Sequence, residues 1–320
     1  MNEVLALVRD AKRVAIVSHR DPDPDTIGAA IALGLGLERR GARVSLHCAD
    51  PVPEGTRFLA GSERFTAAPP PAEVDLVVTV DFGDRERAKL PLPDRPLANI
   101  DHHATNSRFG AANWVDAGAS STCEMVGRLL DALGTGWTPA MATAALTGIM
   151  TDTGSFQFPS TDARTYERAA RLREAGADLQ AITYNIFRNV RYEALKLYGV
   201  GFDRLVREAD GLLVWSVITL RDVADAAARD EDVSGLVQQL ARAGGNRLAL
   251  LFNEVEGGVK ISCRTSEWPP SIDAAALMGR FGGGGHVRAA GALVPEALET
   301  VREGVLAAAR EALAAARATA

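Results

Sequence analysis

Residues 74–80 read VDLVVTV and are followed at once by Asp81. So nearly continuous a β-branched run suits a strand covered on both faces, the environment of a parallel sheet rather than of a half-solvated antiparallel one. Working outward, 14–18 (VAIVS), 44–48 and 97–100 (LANI) predict further strands. Between the first two, 26–40 carries small and apolar residues at helical spacing and is closed by Gly41, which predicts a helix. Strands alternating with helices imply an α/β fold, a mostly parallel sheet with helices on both faces.

From 121 the pattern turns helical, over 121–133, 139–150, 162–175 and 179–188, with cap signals at Ser160, Thr161 and Gly176. A helix over 192–208 is expected to link this half to a second one, in which the alternation restarts. That half predicts strands at 212–218, 247–255 and 259–264, helices near 221–228 and 234–243, and an Ala-rich terminal helix over 295–320. The expected organisation is a larger N-terminal domain over 1–190, a linker helix over 191–208 and a smaller C-terminal α/β domain over 209–320, across a cleft.

Composition agrees with this plan. At 320 residues, with 47% apolar and 24% charged residues, the chain suits two soluble domains, each able to bury a core. No stretch reaches the roughly 18 uncharged apolar residues of a membrane span. Residues 1–10 carry Glu3, Arg9 and Asp10 rather than a signal-peptide core, so a cytoplasmic protein without membrane contact is expected. The net charge of −6 argues against a surface that coats long nucleic acid and leaves room for a small anionic substrate at a local site. Cys48, Cys123 and Cys263 lie far apart, which indicates neither a disulfide framework nor a thiolate zinc site.

Chemistry gathers at the strand ends. His19 follows the first strand and opens His19-x-x-x-Asp23-x-Asp25, Asp81 follows the central strand, and Asp101-His102-His103 follows LANI. Carboxyl ends of strands form the edge where open α/β sheets hold ligands. Asp152, after a helix expected to end at Met150, would complete the cluster. Taken singly, Asp23 or Asp25 would cap a helix, Asp81 would open a turn and Asp152 would end a helix. Capping does not explain why all fall on one edge. An oxygen-rich set with imidazole and no sulfur favours manganese or magnesium over structural zinc, with iron or cobalt as alternatives. Four carboxylates crowded together repel unless cations compensate them; two ions sharing one carboxylate is the economical arrangement.

In the second half, 281–291 reads FGGGGHVRAAG. Glycines let backbone N–H groups approach an anion, most effectively at a helix start. His286 within the run and Arg264 at the end of the preceding strand strengthen a phosphate reading, since a guanidinium offers phosphate a planar fork.

Five segments occur in a meaningful order: HRDPDPD at 19–25, VDFGD at 80–84, DHH at 101–103, GIMTDTG at 148–154 and GGGGHVRAAG at 282–291. Together they resemble the DHH phosphoesterase superfamily, in the type that pairs a DHH domain with a DHH-associated domain, the nanoRNase and pAp-phosphatase type. The resemblance covers nearly the whole chain. It implies a centre of two Mn2+ ions, with Mg2+ or Co2+ as substitutes: His19 and Asp23 on one ion, Asp25, His102 and Asp152 on the other, and Asp81 bridging. It implies catalytic roles for His103, toward the phosphoryl or leaving oxygen, and for Asp101, which orients a neighbouring histidine. Arg264, Thr265, Gly284, Gly285 and His286 would hold the nucleotide end of the substrate. The implied activity is hydrolysis of very short single-stranded RNA or DNA oligonucleotides to mononucleotides, with 3′-phosphoadenosine 5′-phosphate as a second substrate. A phosphodiesterase for cyclic or linear dinucleotide signals, a family II-like pyrophosphatase and a nucleotide-binding sensor without turnover are the competing readings, and homodimerisation stays open. Pro24 and Thr26 stand where such members often have a small residue and alanine, and Thr265 where serine is common.

Overall fold

In the computed structural model, which describes residues 1–266, 268–269 and 271–318, the chain divides into two units, Met1–Asn189 and Val190–Ala320. The first begins with α1 (Asn2–Asp10), β1 (Arg13–Val17), α2 (Pro24–Arg39), β2 (Arg43–His47), β3 (Phe65–Thr66), β4 (Leu76–Val80), β5 (Leu97–Asp101) and β6 (Ala112–Val115). Helices α3 (Thr122–Leu133), α4 (Pro139–Asp152), α5 (Ala163–Glu174) and α6 (Leu179–Ile182) follow, and α6 runs on into a π-helical turn over Thr183–Arg188.

All six strands are parallel, in the order β3-β2-β1-β4-β5-β6. The central strand β4 is buried along its whole length, as its nearly unbroken apolar character requires. Alternation along β1 sends Val14 and Ile16 into the main core with α2, α3 and α4, and Ala15 and Val17 into a smaller cluster with Phe82, Ala88 and Leu97. Between β1 and β4 the order of strands reverses, leaving a crevice at their carboxyl ends. There α2 is tied down by the two unusual residues flanking Asp25. Pro24 occupies the first helical position, where its missing N–H costs nothing, and Thr26 Oγ1 donates to Val80 O at 3.0 Å.

The second unit holds α7 (Tyr192–Asp203), β7 (Val206–Glu208), β8 (Leu213–Ile218), α8 (Leu220–Asp225), α9 (Leu236–Leu240), β9 (Leu248–Val255), β10 (Gly258–Thr265), α10 (Ala274–Gly279), β11 (Gly284–Gly285), β12 (Ala289–Val294) and α11 (Leu298–Ala318). Its sheet runs β11-β12-β10-β9-β8-β7 and is antiparallel except between β8 and β9. Period-two alternation splits its strands between two cores. Leu250, Phe252 and Ile261 pack with α10 and α11, while Ala249 and Leu251 pack with Leu197 of α7 and Leu236 of α9.

Some expectations need correction. The helix expected over 192–208 ends at Asp203, because Val206–Glu208 pairs with β8. Ala194, Leu197 and Gly201 bury its inner face in the second unit. Helix α4 extends through Asp152 rather than ending at Met150. The glycine run follows α10, and Gly284 and Gly285 form the outermost strand, paired with Gly291 and Ala290. Among the described residues no helix is long and apolar enough to cross a membrane.

Candidate metal centre

The crevice of the first sheet is lined by strand ends and helix ends together. Two residues past β1 stands His19, directly past β4 stands Asp81, and β5 closes with Asp101 before His102 and His103. Asp23 is the N-cap of α2, its Oδ1 accepting the N–H groups of Asp25 and Thr26 at 3.0 Å each. Capping uses only one of its oxygens; Oδ2 lies 3.8 Å from His19 Nε2. Capping therefore leaves its second oxygen turned toward His19.

Asp81 is buried and sits at φ +71°, in the left-handed region that Asp tolerates better than most residues. The turn aims its carboxylate into the crevice. Oδ2 lies 3.4 Å from His19 Nε2, while Oδ1 lies 3.6 Å from His102 Nε2. On the far side His102 Nε2 is 3.3 Å from Asp152 Oδ2. The donor atoms of His19, Asp23 and Asp81 fall within 4.8 Å of one another, as do those of Asp25, His102 and Asp152, and those of Asp81, His102 and His103. All six proposed ligands thus converge, with Asp81 between two groups.

The histidines present the atoms a metal needs. His19 Nδ1 is 2.7 Å from Arg20 O and His102 Nδ1 is 3.4 Å from Ala119 O. A carbonyl only accepts, so each Nδ1 donates its N–H there, which leaves Nε2 facing inward. His103 is held differently, with Nδ1 2.6 Å from Asp101 Oδ1. Asp101 in turn accepts from Asn106 Nδ2, which also donates to Asn99 Oδ1 at 2.8 Å.

Asp25, fully buried, accepts Thr122 N–H at 2.7 Å on Oδ2 and Cys123 N–H at 2.9 Å on Oδ1. The first turn of α3 thereby fixes it, and Thr122 Oγ1 donates to Asp81 Oδ1 at 2.9 Å. One helix start steadies two carboxylates. Sequence reading did not single out Thr122, Asn99 or Asn106; an N-terminal Thr and loop or strand Asn residues carry no spacing signal of their own.

Electrostatics show what the cluster lacks. Burial, then the neighbouring Asp81 charge, push Asp25 up to about 7. Burial and the Asp23 charge raise Asp81, and burial and the Asp25 charge raise Asp152 well above the carboxylate range. Burial would lower His19, yet hydrogen bonding and attraction from Asp23 and Asp81 outweigh it and push the imidazole up to about 10. Every one of these shifts draws protons in. A divalent cation would relieve the same excess of negative charge more completely, and the oxygen-rich, imidazole-containing donor set fits one.

In the second unit the expected substrate-holding residues occupy neighbouring strands. Arg264 pairs with Ala289 across β10 and β12, and Gly285 pairs with Ala290 across β12 and β11. Thr265 Oγ1 donates to Val287 O at 3.0 Å, and His286 N–H donates to Ala289 O at 2.8 Å, closing the turn. The Arg264 guanidinium donates to Cys263 O at 2.9 Å, and burial lowers its pKa.

Comparison with known proteins agrees with the motifs and the geometry. The DHH family N-terminal domain matches residues 13–149 and the DHHA1 domain matches residues 213–316. The chain is 35% identical over 306 residues to the bifunctional oligoribonuclease and PAP phosphatase NrnA of Thermus thermophilus, covering 94% of this chain and 90% of that one. It is 27% identical over 293 residues to the protein of the same name from Bacillus subtilis, covering 87% and 89%. An exopolyphosphatase-related protein from Bacteroides fragilis shares the fold, with a TM-score of 0.88 at 22% identity over 98% of this chain and 96% of that one. With these matches running from the first strand into the last helix, the chain belongs to the DHH family, in the type whose DHH domain is followed by a DHHA1 domain.

Proposed function

We propose that the chain is a manganese-dependent phosphoesterase that hydrolyses very short RNA or DNA oligonucleotides to mononucleotides and 3′-phosphoadenosine 5′-phosphate to AMP. The observation that carries this reading is the division of Asp81, one oxygen toward His19 and the other toward His102, which suits a carboxylate shared by two cations. The activities named for the Thermus thermophilus relative support the substrate class. In this reading His19 and Asp23 hold one ion, and Asp25, His102 and Asp152 the other. Manganese suits the mixture of carboxylate oxygen and imidazole better than a softer metal.

Paired divalent ions supply such a site with an activated water and neutralise charge on the phosphoryl oxygens. The chain's own residues do the rest. Asp101 fixes the ring of His103 through Nδ1, so His103 is oriented to meet a phosphoryl or leaving oxygen. Thr122 and the α3 N–H groups keep Asp81 and Asp25 from turning as charge moves through the site. We assign residues 1–190 to catalysis and the second unit, which takes in α7 and β7, to substrate binding, where Arg264, Thr265, Gly284, Gly285 and His286 grip the nucleotide.

The deciding experiment is a product profile with manganese over di- to decanucleotides, 3′-phosphoadenosine 5′-phosphate and pyrophosphate, for wild type and Asp81→Ala. Mononucleotide release from the shortest substrates, lost in Asp81→Ala, is expected. Turnover of pyrophosphate alone, or turnover that survives thorough chelation, would sink the reading.

A further inference from the structure

Arg87 stands at the metal centre without a role in anything described so far. It lies in a short 3-10 turn, Arg85–Ala88, that begins a few residues after Asp81. Ala88 anchors that turn in the small apolar cluster with Phe82 and Leu97, and Arg20 N–H donates to Arg87 O at 2.8 Å. The base of the side chain is therefore pinned to the segment that carries His19. Half-buried, the guanidinium reaches back to the His19 ring, with Nη2 3.5 Å from Nδ1.

That contact is not a satisfying hydrogen bond. His19 Nδ1 already carries a proton shared with Arg20 O, so two donors face each other. Elsewhere in this unit Arg13, Arg64, Arg128, Arg164 and Arg168 each pair with a carboxylate. Among the described residues Arg87 pairs with none, although Asp23 and Asp81 both flank the same imidazole. A partly buried guanidinium kept from carboxylates needs an anionic acceptor from elsewhere.

We infer that Arg87 is a catalytic residue that donates to a non-bridging oxygen of the scissile phosphate, on the His19 side of the centre. This rests on the phosphoesterase reading above and adds to it a grip supplied by the first unit itself. The planar fork suits a phosphoryl group whose negative charge grows toward the transition state. Because the Arg85–Ala88 turn follows directly on the Asp81 turn, a single excursion of the chain supplies both the shared carboxylate and the cation that faces the substrate.

The test titrates inorganic phosphate into manganese-loaded wild type, Arg87→Ala and Arg87→Met by calorimetry, counts bound manganese, and measures kcat/KM on a 5′-phosphorylated dinucleotide. Loss of one charge-assisted hydrogen bond should weaken phosphate binding about tenfold or more. It should lower kcat/KM by on the order of 100-fold, with manganese content unchanged. Arg87→Met keeps an aliphatic stem over the surface and gives the answer if the alanine variant fails to fold. Phosphate affinity within about threefold of wild type, or loss of manganese in step with loss of phosphate binding, overturns the assignment; the second result would make Arg87 a support for His19. A wild type that binds phosphate but leaves the dinucleotide intact would refute the substrate reading, and the phosphate titration would still decide Arg87.

Discussion

Gly148 separates the positioning of Asp25 from the stability of the fold. A methyl group there would lie 2.4 Å from Asp25 Oδ1, 2.4 Å from Cys123 Sγ and 2.9 Å from Asp25 Cα. Against an ordinary contact of about 3.5 Å or more, the carboxylate would have to retreat by roughly 1 Å. It cannot swing aside, because its two oxygens are held by Thr122 N–H and Cys123 N–H and its own Cα is part of the clash. Helices α2 and α4 must separate. Overpacking of this kind costs about 1–3 kcal/mol, while replacing a helical glycine by alanine returns about 1 kcal/mol. Gly148→Ala should therefore lose only about 0–2 kcal/mol of stability, a few degrees in Tm. Catalysis is far less forgiving, since a displacement of about 1 Å in a reacting constellation costs on the order of 100-fold. Urea unfolding set beside steady-state hydrolysis of a dinucleotide measures both. A folded Gly148→Ala protein with kcat/KM within about threefold of wild type would refute the reasoning, for it would mean that the position of Asp25 does not matter to turnover.

Thr122→Val keeps the shape of a buried side chain and deletes its hydrogen bond to Asp81; divalent-ion affinity, read by equilibrium dialysis, should fall about 10- to 100-fold, and unchanged affinity would show that Asp81 needs no such support. Asp101→Asn removes the charge beside His103 Nδ1 and should lower kcat by on the order of 100-fold with ion content retained; loss of the ions instead would point to a ligand-holding role. In the metal-free protein Asp25 and His19 are both raised by folding, to about 7 and about 10. Raised groups stabilise fully below their unfolded pKa values and lose that contribution as pH climbs through the folded ones. Melting temperature without metal should thus fall between about pH 5 and pH 9, while the increment conferred by a divalent ion grows as protons cease to compete; a metal-free Tm that rises across this range would contradict the arrangement.

How far the sequence could be read depended on whether a residue's neighbours along the chain resemble its neighbours in space. The run ending at Val80 announces a doubly covered strand because both of its faces meet apolar partners, and the strand ends it implies bring His19, Asp81 and His102 together. β6, with its pattern Ala-Asn-Trp-Val, carries no legible signal, since four residues alternate too briefly to stand out. β3 is shorter still and exists only by its pairing with β2. Asp152 is legible in the sequence but the end of its helix is not: Thr151 and Thr153 look like loop residues, yet their hydroxyls bond back to Thr147 O and Ile149 O and let the helix run on. The composition of the glycine run leaves its local structure open, and pairing with β12 makes Gly284 and Gly285 an edge strand. Thr122, Asn99 and Asn106 act across tertiary contacts that no local spacing records.

The backbone at Asp81 sets how this protein could change its trade. At φ +71° most side chains are strained, and asparagine is among the few that share the tolerance of aspartate. The codons of the two differ by a single base. A lineage can therefore exchange this carboxylate for a neutral amide with its turn relaxed, its strands in register and the second unit untouched. Such a descendant is expected to keep its fold while losing turnover, so the step from an active chain to an inactive one of the same fold is one base long. In the laboratory the same step makes Asp81→Asn, rather than a truncation, the natural trap for capturing an intact substrate on a folded protein.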